Sequence, residues 1–83
     1  MSEKFILFCK PNCPFFVSAR QTMEEQGLDY GEVTFEPDQE SVLAEIKSAY
    51  DWKTVPMIFS RIADDIKFIG GYTDLLDHLG LDE

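Results

Sequence analysis

The chain has 83 residues and a formal net charge of −9, with 45% hydrophobic and 28% charged residues. That length suits one domain, residues 1–83, with a modest core, and the charge disfavours nucleic acid or an anionic membrane as partner, because phosphate recognition needs a basic surface. No apolar run reaches the roughly 18 residues of a membrane span, and the opening MSEKFILF has no signal-peptide pattern, so a cytoplasmic setting is expected, where cysteines are more often catalytic or metal-binding than structural.

Lys4 to Cys9 is apolar on both faces, with Phe5, Leu7 and Cys9 alternating with Ile6 and Phe8. This predicts a central strand buried on both sides. Lys10-Pro11-Asn12 reads as a turn. A helix then starts near Cys13, with Pro14 at the first helical position, where a missing N–H costs nothing. Phe16, Ala19 and Met23 form its core-facing stripe, and Gly27 ends it. Tyr30 to Phe35 is a second strand. Pro37-Asp38 opens a second helix, with Val42, Ile46, Ala49 and Tyr50 expected on one face. Val55 to Ser60 is a third strand, beginning at a proline. Ala63-Asp64-Asp65 turns it into Ile66 to Ile69. Gly70-Gly71 breaks the hairpin, and a last helix runs from Tyr72 or Thr73 to Leu79. The order β-α-β-α-β-β-α demands a parallel first pair with a right-handed crossover. The expected fold is therefore α/β, a four-stranded mixed sheet with helices on both faces.

The stretch FCKPNCPFF holds both cysteines, spaced four apart rather than three as in C-x-x-C. Cys13 is the better nucleophile. At a helix N-cap its sulfur is expected to accept hydrogen bonds from the N–H groups of Phe15 and Phe16. The helix dipole and Lys10 also favour a thiolate there. Cys9 ends a buried strand, where apolar surroundings hold a thiol protonated. It reads as a small buried hydrophobe. The alternative is a resolving thiol closing a Cys9–Cys13 bridge, which requires a turn tight enough to bring the Cα atoms within about 7 Å. His78 is the only histidine and reads as a helix-surface residue, so no metal site is expected. No Walker loop or dinucleotide fingerprint is present.

Three motifs carry a family resemblance. KPNCPFF after a buried strand resembles the glutaredoxin loop K-P-x-C-P-[YF]-C. Thr54-Val55-Pro56 resembles that family's cis-proline loop, and Gly70 to Asp74, GGYTD, resembles the G-G-x-[DST]-D that opens its last helix. Their order and spacing match along essentially the whole chain. The resemblance implies a thioredoxin-like fold and a glutathione-dependent oxidoreductase with glutathione as reductant. It makes Cys13 the nucleophile and gives the glycine carboxylate of glutathione to Lys10 and Lys53. Val55, before a cis bond to Pro56, would pair its backbone with the glutathione cysteine, and Thr73 and Asp74 would bind the γ-glutamyl end. Phe15, Thr54, Gly71 and Tyr72 complete the implied site, with Phe15 and Trp52 flanking the groove. The chemistry suits these roles. A peptide can dock on an exposed backbone edge, and a helix N-terminus is a carboxylate site. Each residue also has a plainer reading: Gly70-Gly71 as a tight turn, Thr73 as a helix cap, Asp74 as a first-turn acid suited to the dipole, and Lys53 as a solvated lysine.

Where the family's second cysteine would fall, this chain has Phe16. The favoured reading is a monothiol site in which Cys13 and glutathione reduce mixed disulfides unaided. Its substrates would be glutathionylated or disulfide-containing proteins, and a monomer is expected. One alternative is a Cys9–Cys13 dithiol enzyme acting on protein disulfides such as that of ribonucleotide reductase. Another is a glutathione-ligated [2Fe–2S] carrier. Pro14 and Phe16 disfavour that cluster, because the cluster-binding relatives typically read C-G-F-S. The last is an idle binding module using the same groove.

Overall fold

In the computed structural model, which describes residues 3–81, strand β1 (Glu3–Cys9) holds an inner place in a four-stranded sheet. Helix α1 (Pro14–Glu25) carries the chain back to β2 (Asp29–Thr34), which pairs parallel with β1. A 3₁₀ turn (Pro37–Gln39) leads into α2 (Glu40–Ala49). Strands β3 (Met57–Ile62) and β4 (Asp65–Gly70) then add on the other side of β1, each antiparallel to its neighbour, and α3 (Tyr72–Leu79) follows. The sheet order is β2-β1-β3-β4. Element order and mixed pairing are those expected from the sequence. No helix among the described residues is long and apolar enough to cross a membrane.

The strand alternation of β1 divides the core. Phe5 and Leu7 are fully buried with Ala19, Met23, Ile58 and Leu75, under α1 and α3. Ile6 and Phe8 point to the opposite face and pack with Phe35, Leu43, Met57 and Phe59. The two faces are not equally covered. A hollow of about 270 Å³ remains on the α2 side, lined by Ile6, Phe8, Ile46, Tyr50, Phe59 and Ile66.

Helix α2 departs from its expected face. Leu43 is its buried anchor, while Val42 and Ala49 are exposed. The 3₁₀ turn delays the α-helix to Glu40, so Leu43, Ile46 and Tyr50, at i, i+3 and i+7, are the residues that share the inner face. Tyr50 follows the helix, half exposed, with its ring against Phe59 and Phe68 at centroid distances of 5.3 and 5.0 Å. Two strand limits also shift. β2 stops at Thr34, and Phe35 beyond it is buried, its N–H donating to the Cys9 carbonyl at 2.7 Å. β3 starts at Met57 because Pro56 has no N–H for the ladder.

The start of β1 and the end of α3 meet. The Glu3 carboxylate accepts from the Ser60 hydroxyl and contacts His78 Nε2 at 2.8 Å, and the Phe5 and His78 rings stand edge to face at 5.8 Å. The Ser60 hydrogen bond, aided by His78 and opposed by burial, holds the Glu3 carboxyl below the ordinary 4.5. His78 is thus a surface residue, as expected, with a defined partner.

Gly70 and Gly27 both have positive φ, at +129° and +66°. A Cβ at Gly70 would lie 2.6 Å from Asp74 Oδ2, whereas nothing lies within 4 Å of one at Gly27. Gly27→Ala is therefore expected to cost about 1 kcal/mol from backbone conformation alone, and Gly70→Ala about 2–4 kcal/mol because strain and a clash combine. Urea unfolding of the two variants checks this ranking.

Candidate active site

The chain leaves β1 at Cys9, turns through residues 10–12, and enters α1 at Cys13. Asn12 sits in the left-handed region at φ +62°, which asparagine tolerates better than most residues. Cys13 is the N-cap, extended at φ −94° and ψ 112°, and Pro14 opens the helix as expected. One expectation is corrected. The Cys13 sulfur makes no capping hydrogen bond with the amides of Phe15 or Phe16. The Phe16 N–H is satisfied by the Cys13 carbonyl at 3.2 Å, and the thiol donates to the Val55 carbonyl at 3.7 Å. A thiol S–H is a donor, so it pairs with a carbonyl oxygen rather than with an amide N–H, which is itself a donor.

The turn also sets the surroundings of the two cysteines. Both cysteines are free thiols, Cys9 fully buried and Cys13 partly exposed. Only residues 10–12 separate them, and the turn sets them close together. Burial above all, then the neighbouring Cys13, pushes the Cys9 thiol up to about 12. The Lys10 backbone N–H opposes this, and Glu32 on the neighbouring strand adds to it.

Beyond Val55 lies a groove of about 410 Å³. Phe15, Thr54, Val55, Pro56, Gly71, Tyr72, Thr73 and Asp74 line it together with Trp52, so eight expected site residues are brought together with the expected flank. The Val55–Pro56 bond is cis. Phe15 is 59% exposed, and its ring lies 6.4 Å from that of Tyr72. Trp52 packs edge-on against Phe68 at 5.2 Å, and its Nε1 is buried with no hydrogen-bond partner. Asp74 lies in the first turn of α3, as its plainer reading had it, and also reaches back so that its Oδ2 accepts the Gly71 N–H at 2.9 Å. Among the described residues its other oxygen has no hydrogen-bond partner. Gly71, not Thr73, is the N-cap of α3, and Thr73 is exposed inside the first turn.

Not every expected residue joins the groove. Cys13 opens instead into an adjoining hollow with Asn12, Pro14, Phe16 and Val17, and its hydrogen bond to Val55 links the two spaces. Lys10 Nζ is ion-paired with Glu40 Oε1 at 3.1 Å. Lys53 lines a separate hollow with Lys47, Ser48 and Asp51. Glu40 was missed because no local pattern links residues thirty apart. Phe16 packs beside the Ala19 and Met23 cluster, and the Arg20 guanidinium lies 5.4 Å from its ring centroid. Among the described residues no group of three or more His, Cys, Asp or Glu could hold a metal ion.

The two thiols should separate cleanly in solution. Iodoacetamide at neutral pH is expected to label Cys13 and to reach Cys9 only after unfolding, which peptide mass mapping reads directly. The raised Cys9 value also has a stability sign. The unfolded chain releases this proton near 9.0 while the folded chain holds it to about 12. Its contribution is therefore complete below pH 9 and is lost as pH climbs toward 12. The drop in urea midpoint over that range should be smaller in Cys9→Ala than in the parent.

The glutaredoxin family model matches residues 5–64. The hybrid peroxiredoxin hyPrx5 of Haemophilus influenzae is 31% identical over 75 residues, covering 90% of this chain. This chain spans only 29% of that relative. The crystal structure of glutaredoxin 1 from Francisella tularensis superposes with a TM-score of 0.77 at 28% identity, covering 95% of this chain and 94% of that one. The dithiolic glutaredoxin 2-C-Grx1 of Trypanosoma brucei brucei gives a TM-score of 0.70 at 31% identity, covering 95% and 81%. The fold is thioredoxin-like, and the chain belongs to the glutaredoxin family.

Proposed function

We propose that this glutaredoxin reduces glutathione mixed disulfides, with Cys13 as the sole obligatory protein thiol. The observation that carries the reading is the placement of the Cys13 sulfur against the Val55 carbonyl, at the edge of a groove that ends on a helix N-terminus and Asp74. That groove offers recognition along its length. Glutathione is a short peptide, and the Val55 backbone before the cis proline offers it strand-like pairing. At the far end the first amides of α3 suit the γ-glutamyl carboxylate, and the uncommitted Asp74 oxygen suits its ammonium. Phe15 and Tyr72 supply an apolar wall between. At the near end Lys10 and Lys53 would take the glycine carboxylate. Lys10 must first exchange Glu40 for the ligand. An exposed ion pair is worth less than about 1 kcal/mol, so that exchange is easy.

The reaction is thiol–disulfide exchange. The Cys13 thiolate attacks the glutathionyl sulfur, the old S–S bond breaks, and the substrate leaves as its thiolate. A second glutathione thiolate then attacks the Cys13–glutathione disulfide, releasing glutathione disulfide and restoring Cys13. When Cys13 gives up its proton it loses its hydrogen bond to the Val55 carbonyl, and the positive start of α1 is the nearest favourable field for the new charge. Phe16 occupies the position from which a second thiol would otherwise compete.

Turnover of a glutathione mixed disulfide tests this. Cys13→Ser should abolish it, while Cys9→Ser should retain activity within about twofold when glutathione is abundant; equal loss in both would defeat the assignment. Asp74→Asn should raise the KM for glutathione by about tenfold with little change in kcat, as expected for a lost charge-assisted contact. Glu40→Gln should lower that KM by about two- to threefold by freeing Lys10.

A further inference from the structure

We infer that Cys9 is a reserve resolving thiol, which displaces glutathione from Cys13 and closes a Cys9–Cys13 disulfide when free glutathione is scarce. This rests on the proposed role of Cys13 as the residue that carries glutathione. The site is built by the fold rather than by the usual spacing. Cys9 is the last residue of β1 and continues the Phe5, Leu7 alternation, so it points to the side of the sheet that α1 covers. Cys13 is the first residue of the α1 cap. The left-handed Asn12 folds the intervening three-residue turn, which sets the two cysteines close together. The chain has no other cysteine. Position 16, one helical turn further on, is filled by the Phe16 ring beneath Arg20.

The step balances without an added oxidant beyond the glutathione disulfide or mixed disulfide that loads Cys13. The Cys9 sulfur attacks the Cys13 sulfur of the Cys13–glutathione disulfide. The Cys13–glutathione S–S bond breaks, the Cys9–Cys13 bond forms, and the Cys9 proton passes to the departing glutathione thiolate. Cys9 is oxidised and the glutathionyl sulfur is reduced. Two glutathione molecules reverse the process, leaving as glutathione disulfide. The environment of Cys9 decides when this occurs. A thiol held protonated by burial is a slow nucleophile, so abundant glutathione reaches the adduct first. Without that competitor the short turn between the two cysteines gives Cys9 a standing advantage over any thiol arriving by diffusion. The bridge would also spare Cys13 from irreversible over-oxidation. A purely structural Cys9, serving only as a small buried apolar group, would do none of this.

Intact-mass spectrometry of the whole chain tests the inference. The reduced protein is loaded with glutathione disulfide, free glutathione is removed, and samples are acid-quenched over time. The adduct is expected to decay to a monomer two hydrogens lighter than the reduced chain, releasing one glutathione per chain. In Cys9→Ser and Cys9→Ala the adduct should persist at least about tenfold longer. Millimolar glutathione should return the bridged form to the reduced mass. The parent protein suffices if a variant folds poorly, since the lighter monomer needs no substitution to be seen. A parent adduct as long-lived as that of the variants overturns the inference, as does a disulfide found only between two chains; both leave the proposed monothiol function standing. A parent that forms neither an adduct nor the lighter monomer overturns that function and this inference with it.

Discussion

The pairing of β1 with β3 is the constraint on which the site depends. Phe8 stands opposite Met57, one residue before β1 ends and one residue after Pro56. That register lays the Val55–Pro56 junction beside the turn that carries Cys13. Both faces of β1 are covered, so a slip of one residue would move Phe5 and Leu7 out of one core and Ile6 and Phe8 out of the other. The hydrophobic pattern thus holds the cysteine loop and the cis-proline loop together, with Cys9 and Pro56 themselves fully buried. The parallel pairing with β2 adds a second tie at the same level, where the Phe35 N–H reaches the Cys9 carbonyl.

Two thiols on one short turn are placed in opposite surroundings by the same geometry. Cys9 ends the strand on its buried face and stays protonated to high pH. Cys13 begins a helix and is open on one side. The acidic character of the chain is felt at the rim, where Glu40 occupies Lys10. Across the groove the same kind of charge serves structure, because the Asp74 carboxylate accepts the Gly71 N–H at the start of α3. A carboxylate in a first turn can cap with one oxygen, so the plainer and the proposed readings of Asp74 do not compete.

Most of the architecture is legible from a few punctuating residues. Pro14 and Gly27 mark the ends of α1, and Gly70-Gly71 marks the passage from β4 to α3, because these positions impose backbone requirements that few sequences satisfy otherwise. What is less legible depends on contacts that no local pattern holds. Val42 fits an apolar stripe as well as Leu43 does, and only the 3₁₀ turn ahead of α2 decides between them. The groove residues are readable because three motifs name them, but the motifs do not say that Lys10 is engaged thirty residues away. Nor does spacing alone say how close Cys9 and Cys13 come, since that depends on the left-handed turn at Asn12. The direction of the Cys13 thiol, away from the helix amides and toward Val55, depends on an acceptor 42 residues along the chain.

The meeting of Glu3 with His78 has a consequence for how this unit can be joined to others. Glu3 opens β1 beside the end of α3, and β1 runs from there to Cys9 in six steps, about 20 Å at the usual strand rise. The start of β1, held by Ser60 and His78, therefore occupies the pole away from the thiol. A segment joined ahead of it, whether a neighbouring enzyme module or a laboratory tag, leaves from that pole and not from the groove.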